Sequence, residues 1–507
     1  MARRFHDETT HTPYSIRTSG HALDWDNKPF PFKIYTDAPA VALPRDIDVL
    51  AVPTLATLAT PAPAVARLAL SALTALLYYT AGVTKRKTYP GGGEVLFRAA
   101  ASTGALYQTE VYVVAGDVDD LPAGLYHFCP GDFTLRRLRP GDVRGTLAEA
   151  AADPALARRA ATLVLSAIYW RNTWKYQARG FRHLFWDSGT MLANALAVGG
   201  ALGLAPSLLT GFVDDEVNRL IGVDDEHEAA LELLAIGPDG PAAPAAGALV
   251  ELAHDVMPLS REEVDYPALR EMQRVSRLAT AAEVTAWRRV SAPPAREPRG
   301  ALLALPPPAL DGRPLGEAIQ RRGSTRQFGH AALSAPELAN ALWAAARPVP
   351  ADVPGDLVDL YVIVNAVEGI APGAYAYWPD RGLETIRQGV FRREAAYLTL
   401  EQALGGDAAA TIFCLAPLDA LLAAWGERGY RLANLQAGIA GGRAYLAAYG
   451  AGFGASGLTF YDADVVRFFS PHAAGRDAIF VTALGRGGSA QSGMLLSNTI
   501  PSPPRRS

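Results

Sequence analysis

Three short stretches carry residue types that can do chemistry when brought together. In RRGSTRQF, Arg322, Ser324 and Arg326 fall at alternate positions of an extended segment, so their side chains are predicted to share one face. Two guanidiniums and a hydroxyl on one face suit a phosphate, held by charge-assisted and often bidentate hydrogen bonds. In FRAAASTGALYQTEVYVV, Arg98, Ser102, Thr103 and Gly104 precede a strand. Such a turn can present backbone N–H groups and small hydroxyls to the edge of a ligand. In YWRNTWKYQARGFRH, Arg171, Lys175 and Arg179 recur every four residues, Arg182 lies close to the same face, and aromatic residues interleave with the cations. Like charges at that spacing weaken an isolated helix by about 0.2–0.5 kcal/mol per pair. Crowding by Arg171 and Arg179 predicts a lowered pKa for Lys175, making it a usable base with Tyr176 beside it. Each stretch also has a plainer reading: a solvated basic loop, an ordinary turn, a solvated helix face.

The elements that must position these residues occur twice. Val113, Gly124, Tyr126, Arg179, Gly180, Arg182, Gly189, Gly203 and Asp215 each have an identical partner 249 residues later, from Val362 to Asp464. One register held across a hundred positions predicts two copies of one domain, packed about an approximate two-fold axis. Each half has Val- and Tyr-rich strands (LYQTEVYVVAG, DLYVIVNAVEG), a turn into a second strand, a long helix (FRHLFWDSGTMLANALAVGGALGL, YRLANLQAGIAGGRAYLAAYG) and a last strand (LELLAIG, AIFVTALG). Interleaved helices and strands predict an α+β class, as two tandem sandwich domains forming an intrachain pseudo-dimer. The expected boundaries are an N-terminal segment at 1–43, domain 1 at 44–240, a helical and Pro-rich linker at 241–300, domain 2 at 301–488 and a disordered tail at 489–507.

The halves keep different working parts. Domain 2 holds Arg322, Ser324 and Arg326, with Ser334 and Glu337 as a capping box opening the next helix; the matching region of domain 1 carries only Arg45. Domain 1 holds the Ser-Thr-Gly turn and the Lys175–Tyr176 pair, where domain 2 reads RPVPADVPGDL and LLAAWGERGYR.

Bulk properties narrow the function. A net charge of −4 argues against nucleic acid, which demands a basic field. Cys129 and Cys414 lack metal spacing and sit in apolar strand contexts, so buried inert thiols in a reducing cytoplasm are expected, and no metal site. The first residues lack the apolar core of a signal peptide. The apolar run from Ser188 to Leu209 is long enough to span a bilayer, but Asn194, Pro206 and the repeat partner's Arg443 favour a helix buried between domains, with Gly199, Gly200 and Gly203 allowing close approach. No membrane association is expected.

In order along the chain, these motifs resemble the nitroreductase superfamily and, within it, the SagB/ThcOx-type dehydrogenases of azole-forming peptide pathways. HDETTHTPYSIRTS and LDWDNKPFPFKIY resemble that family's N-terminal segment, and RRGSTRQF its flavin-phosphate motif. RAAASTGALYQTEVYVV resembles its Pro-Ser-Ala-Gly-Ala-Leu-Tyr-Pro segment, with Ala101 and Gln108 replacing the prolines. WKYQARGFRH resembles the stretch with the catalytic Lys-Tyr pair. The resemblance implies FMN in a cleft between two subunits, one supplying Arg-x-Ser-x-Arg and the other the Ser-rich turn and a covering helix. That division implies one complete FMN site across the pseudo-dimer and a decayed second one. By position, Gly454, Ala455, Ser456 and Gly457 would meet the isoalloxazine edge and Arg486 the phosphate.

The implied activity is oxidation of azoline rings to azoles in a ribosomally made peptide, by hydride transfer to flavin N5 with Lys175 as base and Tyr176 as its partner. A positioned base contributes roughly 10²–10⁴-fold. The cationic, aromatic helix could bind an acidic peptide, and a cyclodehydratase is the expected partner of a monomeric chain. Two alternatives stand beside this: an NAD(P)H-dependent nitro- or ene-reductase, and a degenerate, non-catalytic partner of a cyclodehydratase.

Overall fold

The computed structural model describes residues 1–88, 94–354 and 356–487. The expected disordered tail at 489–507 lies outside the described residues.

Val- and Tyr-rich segments form pleated, buried strands, and each half assembles seven of them in the same order. In the first half the order across the sheet is Ala40–Ala42, Thr134–Pro140, Gly124–Cys129, Thr109–Ala115, Arg159–Ile168, Glu228–Asp239, Ser207–Leu209. In the second it is Leu302–Leu303, Gly382–Gln388, Gly373–Trp378, Asp359–Val364, Ala410–Ala416, Asp477–Gly485, Gly454–Leu458. The repeated residues hold the same register. Val113 pairs with Tyr126, and Val362 with Tyr375. Each tyrosine donates its hydroxyl back to a carbonyl four residues earlier, Pro122 at 2.7 Å and Ala371 at 2.6 Å. The fold is therefore α+β, two tandem domains forming an intrachain pseudo-dimer.

The long helices Gly180–Ala201 and Arg428–Ala451 are buried almost throughout, which is why they read as apolar on all sides. They cross at the repeated pair Gly189 and Gly438. A Cβ on Gly189 would lie 2.6 Å from the Leu435 carbonyl, and one on Gly438 2.5 Å from the Trp186 carbonyl. The close approach thus falls at Gly189 and Gly438, not at Gly199, Gly200 and Gly203. Those three face Pro206 and the segment 57–65 instead.

Buried ion pairs repeat across the axis. Arg179 and Arg182 reach Asp462 at 3.1 and 2.6 Å, and Arg428 and Arg431 reach Asp214 at 2.6 and 2.8 Å. The backbone N–H of His11 donates to Asp462 and that of Leu278 to Asp214, at 2.8 and 2.9 Å. Thr9 and Ser276 accept from Arg182 and Arg431 in matching fashion. The helix Pro267–Val275 is therefore the counterpart of Ala2–Glu8, displaced by 267 residues rather than 249. Helices Pro13–Thr18 and Ala281–Arg288 follow them. The charged stretch after domain 1 is the second half's own N-terminal strap.

One apolar core, with Leu192 and Ile439 among its members, runs through both halves. Cys129 and Cys414 are buried and free, and burial pushes both thiols up to about 12. No helix among the described residues is long and apolar enough to cross a membrane.

Candidate active site

A cavity of about 750 Å³ opens where the two halves meet, a size typical of small-molecule sites. Domain 1 supplies Ser102, Thr103, Gly104, Lys175 and Tyr176, domain 2 supplies Ser324, Arg326 and Gly457, and the N-terminal strap from Glu8 to His21 forms a wall. Residues from all three singled-out stretches meet there.

Lys175 and Tyr176 end the helix Tyr169–Tyr176. The Lys175 ammonium has no hydrogen bond or ion pair among the described residues and lies 5.4 Å from the Tyr176 ring centre. Its pKa is lowered, first by burial and then by Arg326 from the other half. The neighbours expected to lower it do not. Arg171 turns the other way into a buried pair with Glu110, and Arg179 goes to Asp462. From Lys175 to Arg179 the four-residue spacing fails because the helix breaks at Gln177, with φ 51° and ψ −145°. Gly426 sits at the repeat position with φ 60° and ψ −155°. This region is nearly closed to residues with a Cβ, so Gln177 holds strain beside the Lys-Tyr pair.

The Ser-Thr-Gly turn is fixed by a residue the motifs did not flag. Asp187 accepts from Ser102 Oγ at 2.6 Å, the Thr103 N–H at 2.9 Å and Gln108 Nε2 at 2.7 Å. Burial raises its carboxyl to about 6, against those hydrogen bonds. The turn's N–H and hydroxyl are therefore spent inside the protein rather than offered to a ligand edge. Gly104 has φ 62°, and a Cβ on it would lie 3.1 Å from Tyr176 Oη, so this glycine leaves room for the phenol. Asn172 donates to Thr103 Oγ1 at 2.8 Å, and its carbonyl faces His183 Nδ1 at 3.0 Å. His183 packs against the Tyr176 ring and is held neutral by burial. In sequence the one cue was Asp187 itself, a lone carboxylate at the mouth of an apolar helical run.

The phosphate-type motif divides. Ser324 and Arg326 line the cavity, and Arg326 has no hydrogen bond or ion pair among the described residues. Arg322 does not share their face. Its guanidinium donates to the carbonyls of Arg98, Ala99 and Ala100, at 2.6, 2.9 and 3.2 Å, and so clasps domain 1. Arg322 is the C-cap of the helix Leu315–Arg321, with φ −52° and ψ 134°, a polyproline-type backbone whose three residues per turn do not give the two-residue alternation of a strand. Arg98 is buried, with its guanidinium on the Thr109 and Pro31 carbonyls. Of the GASG stretch only Gly457 lines the cavity, its N–H bound by Tyr445 Oη at 2.6 Å. Gly454 makes room for Thr325, Ala455 and Ser456 are buried in the edge strand, and Arg486 pairs with Glu337 at 2.9 Å.

The equivalent cleft on the far side of the axis is filled. Its strap carries Trp287 and Arg288; the Trp287 ring lies 2.8 Å from where a Cβ on Gly211 would stand. Arg288 and the N–H groups of Thr210 and Gly211 converge on Asp352 at 2.8–3.0 Å. Ala424 and Trp425 stand where domain 1 has Lys175 and Tyr176.

Comparison with protein-family models matches residues 61–237 and 319–473 to the nitroreductase family. The chain belongs to the nitroreductase family. Among solved structures, this nitroreductase-family chain is similar to a nitroreductase-named protein of Anabaena variabilis, with 26% identity and a TM-score of 0.76 over 96% of this chain and 99% of that one. Protein MJ1384 of Methanocaldococcus jannaschii, also named for nitroreductases, is 29% identical over 34% of this chain and 81% of its own length. The microcin B17-processing protein McbC of Escherichia coli is 25% identical over 29% of this chain; the match spans about half of McbC, 52% of its length.

Proposed function

We propose that the chain is an FMN-dependent dehydrogenase of the SagB/ThcOx type that oxidises azoline rings to azoles in a ribosomally made peptide, with one flavin per chain. One observation carries the reading: Lys175 and Arg326, from different halves, face one cavity with no carboxylate partner among the described residues. Arg326 and Ser324 can hold a cofactor phosphate from the domain 2 side by charge-assisted hydrogen bonds, while Lys175 faces the same space from domain 1. When bound, FMN supplies a two-electron acceptor. The chain's own part is to place the ring and take the proton. Lys175, lowered in pKa by burial and Arg326, accepts it at Nζ. Gly104 seats the Tyr176 phenol against the same space, and the N-terminal strap walls it. Relatedness to McbC, named for the processing of microcin B17, supports a peptide substrate; a cyclodehydratase partner is what the resemblance to the SagB/ThcOx type implies.

The test is the absorption spectrum of purified protein with released flavin counted per chain. About one FMN per chain, lost in Arg326→Ala and kept in Arg45→Ala, is the expected result. Two per chain would mean that the cleft filled by Trp287 opens in solution. None, even after soaking with FMN, would move the chain to the non-catalytic reading. Rapid NAD(P)H oxidation driven by a nitroaromatic would favour the reductase.

A further inference from the structure

We propose that the peptide substrate is basic on the flank of its reacting residue, and that this flank lies in an acidic groove on domain 1. The inference rests on the peptide-dehydrogenase reading above and names the substrate class that reading leaves open.

Two further hollows, of about 850 and 220 Å³, share Glu263 and His227 as common wall. The smaller is lined by Tyr169, Trp170 and Thr173, on the helix that ends in Lys175 and Tyr176. It also includes Tyr266, which packs on the Leu106, Trp170 and Trp174 cluster together with Tyr176 of the catalytic cavity. The smaller hollow and the catalytic cavity therefore flank successive turns of one helix, a path suited to a chain whose reacting residue sits beside Lys175.

The walls of this path are acidic. Eight carboxylates line the two hollows; Asp215 and Asp225 pair with Arg277, Asp224 with His227 and Asp265 with Arg270. Lys33 is already taken by Glu228 at 2.6 Å. Glu226, Glu251 and Glu263 form no ion pair among the described residues. A second, independent feature points to a main chain. Asn218 is 4% exposed and lines the larger hollow; its carbonyl accepts from the Ala230 N–H at 2.9 Å, while its amide nitrogen has no partner among the described residues. A free amide donor among carboxylates fits a peptide carbonyl and not another cation.

The same structure removes the ground for an acidic peptide. Arg171, Arg179 and Arg182, which gave the helix its cationic look, are all buried in ion pairs. Lys175 alone remains, and it faces the catalytic cavity. Complementary charge along a groove sets partner choice and weakens with salt.

Fluorescence anisotropy on the full-length, flavin-loaded protein tests this. The probes are two labelled peptides with a common Gly/Ser/Cys core and either lysines or glutamates on one flank. The lysine peptide is expected to bind about tenfold tighter at low salt, with the advantage shrinking as sodium chloride rises. Glu226→Gln/Glu251→Gln/Glu263→Gln should remove most of that advantage, and Asn218→Ala should weaken the lysine peptide at every salt concentration. Flavin content equal to the parent's shows that each variant is folded. Binding of the glutamate peptide as tight or tighter, binding of neither peptide, or an unchanged triple variant would overturn the proposal. A chain that takes up no flavin defeats the dehydrogenase reading instead, and the comparison of the two peptides still reads on that protein.

Discussion

Lys175 can serve as a base only if its amine is free at working pH, and its surroundings press in that direction. Burial penalises the charged form, and Arg326 across the cavity repels it. A lysine with a lowered pKa is protonated below that pKa and free above it, so dehydrogenation should rise with pH through a limb below the ordinary lysine value of about 10.4. A pH profile of kcat/KM reads this directly; a limb at or above that value would remove Lys175 as the base. Lys175→Met should cost roughly 10²–10⁴ in kcat while leaving flavin content unchanged. Loss of flavin in that variant would make Lys175 a binding group instead. At this scale much was legible: Lys175, Tyr176, Ser324 and Arg326 were named from sequence and meet in one cavity. Arg322 and Arg98 misled, because residue type and spacing say nothing about which buried carbonyls lack donors. Arg322 closes three of those from the other half.

At the scale of the element, the break after Tyr176 repeats with different residues. Gly426 takes its conformation freely, whereas Gln177 holds nearly the same φ and ψ with a side chain attached. Such a residue costs about 1–3 kcal/mol. Gln177→Gly should therefore raise the melting temperature, and Gly426→Gln should lower it by a similar amount, both measured by calorimetry. If Gln177→Gly also slows turnover, the strain helps to hold the Lys-Tyr pair; unchanged turnover would make the strain incidental. The helical pattern across YWRNTWKYQARGFRH concealed this break, since nothing in local spacing announces a left-handed glutamine. The strap Pro267–Val275 was hidden for a related reason. Its equivalence to Ala2–Glu8 lies in backbone groups that meet Asp214 and Asp462, so almost no side-chain identity survives to mark it.

For the whole molecule, the two-fold arrangement hangs on Asp462 and Asp214, each buried against two arginines. Removing one partner of such a pair leaves charge uncompensated and costs about 3–5 kcal/mol. Asp462→Asn and Asp214→Asn should each lower the melting temperature clearly, and a change within error for either would show that water screens the arginines. Burial alone would raise the Asp462 pKa, but Arg179 and Arg182 hold it down at about 2. A carboxyl with a depressed folded pKa stabilises fully above its unfolded value of about 3.9, and that stability drains away as pH falls towards 2. Acid titration followed by circular dichroism should show the loss in that window, and it should be reduced in Asp462→Asn. The repeat made this architecture legible early, because identical residues at one offset imply an axis. What fills each cleft was not legible, for it depends on Trp287 and Arg288 in a strap whose kinship to the N-terminus the sequence does not display. Those two residues carry a wider consequence. In a homodimer every substitution appears on both sides of the axis, so closing one cleft closes the other. Joining the two copies in one chain frees each half to drift alone, and keeps them together at any dilution. Half of the molecule could then turn from chemistry to bracing while its twin kept the working cavity.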